Sequence, residues 1–383
     1  MEKQFKEDKS GKIDDGDELF NKLDRLLDDE EYDKAISEIM AIPREKQSNK
    51  LRFTLVCAYS DKGDAQKALE ELDEMTPLCE TSYDRARNCY LRGHIYYLND
   101  KEIAARRLYK EAQKLDPEYT RSIKIEEDLA DCDSLIAENL GEVHKTCAAV
   151  WLSIGARCSK NAEKRKLSAE EFRMRLGFFP AFRSLPGFDR PMGLSSYLET
   201  LKGEEAENAR SWFESYYGVH DSEGFFELIR KSRECNISHM ADDVMAFIIG
   251  RPRFAMKDLN DDGRFAFENS VIYVRKFAEF LPRGGIRAWD IGEKIGLARH
   301  AYRCGILGES DYLNVMARLE DEAVSMFSGW EEYMCSLVFG AAVFAYSFDD
   351  WNIAGSVSYA ENMVQMLLGS DLPDVSWNAK SNS

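Results

Sequence analysis

Three consecutive helical patterns between Ala288 and Phe344 constrain the fold of this chain most strongly. The first stripe of apolar residues is formed by Ile291, Ile295, Ala298 and Tyr302. Gly305 follows it and suits the left-handed residue that ends many helices. Apolar residues at 313–327 predict the second helix, and Ser328-Gly329-Trp330-Glu331 predicts a capping box that begins the third. Short connections between such helices favour antiparallel neighbours in a compact bundle.

This stretch also carries residues typical of a known family. They are the pair Trp289-Asp290, then Arg299, Tyr302, Trp330 and Gly340, with Trp212 and Gly218 upstream. With them, residues of about 165–370 resemble the bacterial domain of unknown function 1266 family. The resemblance implies a helical domain and supplies no reaction.

The N-terminal third contains an approximate repeat. Three helical patterns are each followed by a proline, at Pro43, Pro77 and Pro117. Each pattern carries an alanine, such as Ala35 or Ala68, at a position where two helices would touch. Proline ends each pattern because it cannot continue a helix. Residues of roughly 15–120 are therefore similar to the tetratricopeptide repeat family, with an irregular array of helical hairpins as the alternative.

Such arrays often hold a peptide or a partner helix on the concave face formed by their first helices. Candidate partner-binding residues, chosen by their place on those helices, are Ser60, Asp61, Asn88, Arg92 and Tyr96. The alternative for each of them is an ordinary solvated helix position.

Composition restricts the partners. The net charge is −18, and residues 1–140 contribute −11 of it, with 23 Lys and Arg against 34 Asp and Glu. Such a chain repels phosphate backbones and anionic lipids, so we expect no nucleic acid and no membrane partner. The nine cysteines include no Cys-x-x-Cys pair, and the first residues lack the apolar core of a secretory signal. We therefore expect reduced thiols and a cytoplasmic location.

The candidate catalytic residues are Asp290, Arg299 and Glu331, which could line a polar cleft. The alternative is structural, with Asp290 capping a helix start and Arg299 forming an ion pair. The chain contains no phosphate-binding glycine loop, no nucleophile elbow and no His-Glu-x-x-His motif. We therefore expect no cofactor.

One acidic segment partly matches a calcium-binding loop. Asp258, Asn260 and Asp262 fill the first, third and fifth positions, but Glu268 stands one residue before the position of the required glutamate. The alternative is a plain acidic turn.

Taken together, the sequence predicts an all-α chain with helical repeats at 1–140, a connection at 141–165, a helical domain at 166–372 and a polar tail at 373–383. A β element is expected only at 265–274. The leading functional hypothesis is an interaction or adaptor protein with a protein or peptide partner. The alternative is an enzyme of unknown reaction that uses the polar cleft. The sequence does not indicate an oligomeric state.

Overall fold

The computed structural model describes residues 17–160, 163–182, 193–194 and 197–377. Across these ranges the chain has 18 α-helices and no β-strand, which confirms the all-α prediction. Residues 378–383 of the predicted polar tail lie outside the described residues. The chain divides into two compact units, Met1–Glu138 and Asn139–Ser383. None of the described helices is both long enough and apolar enough to cross a membrane.

The first unit consists of helical hairpins. Its helices are α1 (Asp17–Asp28), α2 (Tyr32–Met40), α3 (Asn49–Asp61), α4 (Ala65–Met75), α5 (Ser82–Leu98), α6 (Glu102–Leu115), α7 (Pro117–Ser122) and the first part of α8 (Ile125–Cys158). Helices α1 and α2, α3 and α4, and α5 and α6 pack as pairs, and neighbouring pairs also contact one another.

All three hairpins turn in the same way. Each turn has one residue in the left-handed region, with φ of 59° at Glu30, 85° at Gly63 and 57° at Asp100. The next residue in each turn donates its backbone N–H to a carbonyl five residues earlier, at 2.7 Å, 2.8 Å and 3.0 Å. These bonds satisfy carbonyl groups that the helix end leaves without a partner.

Small residues allow the helices of this unit to approach closely. Ala35, Ala68 and Ala105 are fully buried, at the positions where the sequence pattern placed an alanine. A side chain at Gly93 would meet the ring of Tyr109 at 2.8 Å, so α5 and α6 can pack this closely only because position 93 is glycine. The proline of each repeat follows the end of α2, α4 or α6 by two or three residues.

The second unit is a helical bundle. Besides the rest of α8, its helices are α9 (Ala169–Leu176), α10 (Phe178–Phe182), α11 (Gly203–Tyr217), α12 (Ser222–Lys231), α13 (Ile237–Ile248), α14 (Asp261–Arg275), α15 (Arg287–Arg303), α16 (Glu309–Met326), α17 (Trp330–Phe348) and α18 (Ile353–Leu368).

Helix α15 is the centre of this bundle. Its residues from 288 to 303 are all buried except Lys294, and it contacts α16 and α17. A helix that is buried on every side marks the core of a domain. At the contact with α17, a Cβ atom on Gly340 would overlap the Cβ of Trp289 and lie 3.2 Å from the carbonyl oxygen of Ile286. The three predicted helices between 288 and 344 are present in α15, α16 and α17.

Two local predictions for this unit were wrong. Residues 265–274 form part of α14 and not a β element. Asn260 begins that helix by accepting a hydrogen bond from the backbone N–H of Gly263 at 2.8 Å. The buried residues of α14 then recur at helical spacing, so packing overrides the strand preference of its aromatic and β-branched side chains.

The second wrong prediction is the capping box at Ser328. The N-cap of α17 is Gly329 and not Ser328, so this helix begins one residue later than the capping box predicted. Glu332, and not Glu331, reaches back to accept the backbone N–H of Ser328, at 2.8 Å. In contrast, Ser168 and Glu171 form a complete capping box at the start of α9.

Candidate functional site

A pocket of about 220 Å³ lies between α3 and α5 in the first unit. It is lined by Val56, Cys57, Ser60 and Asp61 from α3 and by Tyr90, Leu91, His94 and Ile95 from α5. Each helix therefore contributes two adjacent residues and the next two one turn later, which is a single helical face.

The two lining sets repeat one another in the sequence. Val56 and Tyr90 are 34 residues apart, and so are Ser60 and His94. Ser60 and Asp61, two of the candidate partner-binding residues, line the pocket, whereas Tyr90 and His94 were not among those candidates. Carrying the α3 positions forward by one repeat length would have found both.

The carboxyl group of Asp61, the phenol of Tyr90 and the imidazole of His94 make the pocket polar on one side. The half-buried Tyr90 hydroxyl donates a hydrogen bond to the carboxyl group of Asp128 on α8. Burial and the Asp128 charge raise the pKa of Tyr90 to about 12. Burial also raises the pKa of Asp61 and that of Asp128, and His94 acts on both carboxyl groups in the opposite direction.

The aromatic rings of the pocket are arranged along α5. The rings of Tyr90 and His94 are nearly parallel, with an angle of 16° and centroids 6.4 Å apart. Burial raises the pKa of the Cys57 thiol, so this thiol is protonated at neutral pH and a weak nucleophile. Cys57 therefore does not supply a reactive thiolate to the pocket.

The other partner-binding candidates are placed elsewhere. Asn88 is buried and donates to the carbonyl oxygen of Leu72 at 3.0 Å. Arg92 pairs with Asp73 of α4 at 2.8 Å. Both residues are two positions from a lining residue, which is about 200° around a helix. They consequently face α4, where they join two helices of the first unit.

Tyr96 is half-buried, and its ring packs against the hydrophobic cluster between α5, α6 and α8. The ammonium group of Lys101 lies 5.8 Å from the centre of that ring. Tyr96 is therefore not among the residues that line the pocket.

In the second unit, Asp290 is buried on α15 but caps a different helix. Its carboxylate accepts hydrogen bonds from the backbone N–H of Ser238, at 3.3 Å, and from the Ser238 hydroxyl. Ser238 is the second residue of α13, so Asp290 satisfies a donor at the start of that helix. Burial raises the pKa of Asp290 to about 6, against the opposing effect of the Ser238 hydrogen bonds.

Arg299 is also buried, and it forms no ion pair among the described residues. Its Nη1 donates to the carbonyl oxygen of Gly193 at 3.0 Å. Burial lowers the pKa of its guanidinium group to about 10, so Arg299 is charged at neutral pH.

The three catalytic candidates do not converge. Asp290 and Arg299 are nine residues apart on α15, which is about 13 Å along the axis and about half a turn around it. Glu331 lies at the start of α17 against α8, where a Cβ atom on Gly155 would be 3.0 Å from its carboxylate. Each of the three side chains therefore has its own surroundings.

The calcium-loop candidates are also spread out. Asp258 belongs to a 3-10 turn, Asn260 caps α14, and Asp262 and Glu268 are within that helix. Among the residues that the structure describes, no group of three or more His, Cys, Asp or Glu side chains could hold a metal ion. A continuous helix from Asp261 replaces the loop that a calcium ion would need.

Comparison with known families bears on the second unit. Residues 207–377 match the family model described as a protein of unknown function (DUF1266). This DUF1266 region begins within α11 and includes α15 to α18, so the predicted resemblance is supported for most of the C-terminal domain. The searches of curated proteins and of solved structures each found no match. The tetratricopeptide resemblance of the first unit stays a prediction.

Proposed function

We propose that this chain is a cytoplasmic interaction protein that holds a peptide or helix of a partner protein on its N-terminal hairpins. The proposal interprets the hairpins as tetratricopeptide-like repeats and the protein as bacterial. The observation that carries it is the pocket between α3 and α5, which equivalent positions of two successive hairpins line.

The lining supports peptide binding in particular. The pocket combines apolar walls with hydroxyl, carboxyl and imidazole groups, and such mixed surfaces orient a bound chain as well as bury it. Its volume of about 220 Å³ is below the range of about 300–1,000 Å³ typical of pockets for drug-sized ligands. A pocket of this size suits one side chain of a peptide better than a complete cofactor.

Site-specific photo-crosslinking of the full-length chain tests this proposal. A benzophenone amino acid is introduced at the exposed Lys62, which follows the pocket residue Asp61, or at the exposed Ser134 of α8 as a control. Illumination in a lysate of the source organism should give one discrete protein adduct from position 62 and none from position 134. Equal adducts from both positions, or no adduct from position 62 in a folded protein, would contradict the proposal.

An enzymatic role of the DUF1266 region is the second candidate. The observation that favours it is Asp290, because buried carboxyl groups with a strongly raised pKa are frequent at functional sites. In this alternative Asp290 would act as an acid or base, and Arg299 and Glu331, which have separate surroundings in this structure, would approach it only after substrate binds. A catalytic Asp290 would lower the stability of the folded protein, so Asp290→Asn would raise the free energy of unfolding above that of the unsubstituted protein.

A further inference from the structure

The charge of the pocket indicates what enters it. Asp61 is exposed at the pocket, and Asp128 is half-buried next to Tyr90, with which it is hydrogen-bonded. His94 is close enough to affect the ionisation of both carboxyl groups. The carboxylate of Asp61 in the lining and that of Asp128 beside Tyr90 together make the electrostatic potential of the pocket negative.

The rings add a second, independent preference. The nearly parallel rings of Tyr90 and His94 form one wall of the pocket on α5. The face of a phenol ring attracts a cation, and the planar guanidinium group stacks on such faces especially well. Aromatic and carboxylate groups in one pocket therefore favour the same type of ligand.

We propose that the pocket between α3 and α5 receives a basic side chain, arginine or lysine, from the peptide of a partner protein. This inference rests on the proposed function, and it adds the chemical class of the residue that is recognised. The carboxylate of Asp61, which lines the pocket, binds the cationic group, and the ring of Tyr90 packs against it. The carboxylate of Asp128, which is hydrogen-bonded to Tyr90, adds to the electrostatic attraction. The apolar residues Val56 and Ile95 contact the aliphatic stem.

A metal ion is a poorer occupant of the same pocket. The described residues contain no group of three or more His, Cys, Asp or Glu side chains in an arrangement that could hold one. An anionic side chain is also disfavoured, because the carboxylates of Asp61 and Asp128 would repel it. The first 140 residues carry a net charge of −11, which further attracts a basic partner.

The test uses the full-length chain and a matched pair of short peptides. Acetyl-Ala-Arg-Ala-amide supplies the basic side chain, and the same peptide with citrulline keeps its shape without its charge. Binding is followed by NMR through the ring signals of the five histidines, assigned with single His→Gln variants. The arginine peptide should shift the His94 signals in a saturable way and bind at least about fivefold more tightly than the citrulline peptide.

Two variants with the same change of charge complete the test. Asp61→Asn should weaken the binding of the arginine peptide by about threefold to fivefold, because the substitution removes one partly exposed carboxylate. Glu118→Gln, at an exposed position on α7, should leave binding unchanged. Equal binding of both peptides, unmoved His94 signals, or equal affinity of Asp61→Asn and the unsubstituted protein would overturn the inference. Even then, a position-specific crosslink at Lys62 would continue to support the peptide-binding function.

Discussion

Replacing Asp290 by asparagine should stabilise the second unit. The carboxyl group has a pKa of about 6 in the folded protein, against an ordinary value of 3.8, because it is buried. The folded state therefore binds this proton more tightly than the unfolded state. Protonation of Asp290 therefore stabilises the folded protein fully below pH 3.8. This contribution decreases as the pH rises to about 6 and is absent at higher pH.

The size of the effect follows from the shift. Two pKa units correspond to about 3 kcal/mol in the free energy of unfolding when the group is fully ionised. At pH 5 the same relation gives a cost of about 1.6 kcal/mol, because the group is only partly ionised in the folded protein. Asparagine has no charge to bury, and its amide can bond both the backbone N–H and the hydroxyl of Ser238. The increase in the free energy of unfolding caused by Asp290→Asn should therefore be about 1.4 kcal/mol larger at pH 8 than at pH 5.

Tryptophan fluorescence measures the free energy of unfolding of the second unit, where Asp290 lies. All six tryptophans lie after residue 139, so the fluorescence change during urea unfolding reports on the second unit alone. The control is Asp258→Asn, at an exposed position of the same unit, which should give no difference that grows with pH. If Asp290→Asn is less stable than the unsubstituted protein at pH 8, or if its effect is the same at both pH values, the reasoning fails.

Three further predictions concern packing, a buried ion pair and metal binding. Gly340→Ala should destabilise the second unit by about 1–3 kcal/mol through overpacking. Gly141→Ala, whose added methyl group meets no neighbour, should stabilise the same unit by up to about 1 kcal/mol. Urea unfolding followed by tryptophan fluorescence compares the two variants. Glu71→Gln should destabilise the first unit by about 1–3 kcal/mol, because the buried Arg52 would keep only the exposed Glu74, 3.2 Å away, as a charged partner. Circular dichroism should detect this loss while the tryptophan transition stays unchanged. Saturating calcium should leave the melting temperature unchanged, since the segment 258–268 is largely helical, and a clear upward shift would contradict this.

Local sequence signals predicted the helices well where glycine, proline and apolar spacing agreed. The stop at Gly305 is an example, because a positive φ of 78° favours glycine and the apolar stripe ends there. The segment 265–274 was harder, since aromatic and β-branched residues suit both a strand and a buried helix face. The tertiary contacts of α14, with α13 and through Tyr273 with α17 and α18, favour the helix.

Functional positions were harder to predict because they depend on which face of a helix meets its neighbour. Ser60 lines the pocket, whereas Asn88 and Arg92 are two residues away from Tyr90 and His94. A difference of two residues rotates a side chain by about 200°, which moves it from the pocket to the contact with α4. Similarly, the sequence indicated that Asp290 could cap a helix, but only tertiary packing identifies that helix as α13.

The shared turn of the three hairpins has a consequence for how such a chain can evolve. The turns at Glu30, Gly63 and Asp100 are 33 and 37 residues apart and use one hydrogen-bonding scheme. Since each hairpin packs mainly on its neighbours in sequence, duplicating one genetic block of this length would add a hairpin without redesigning those already present. It would also add another first helix, and with it a further pocket whose side chains could diverge toward a longer peptide.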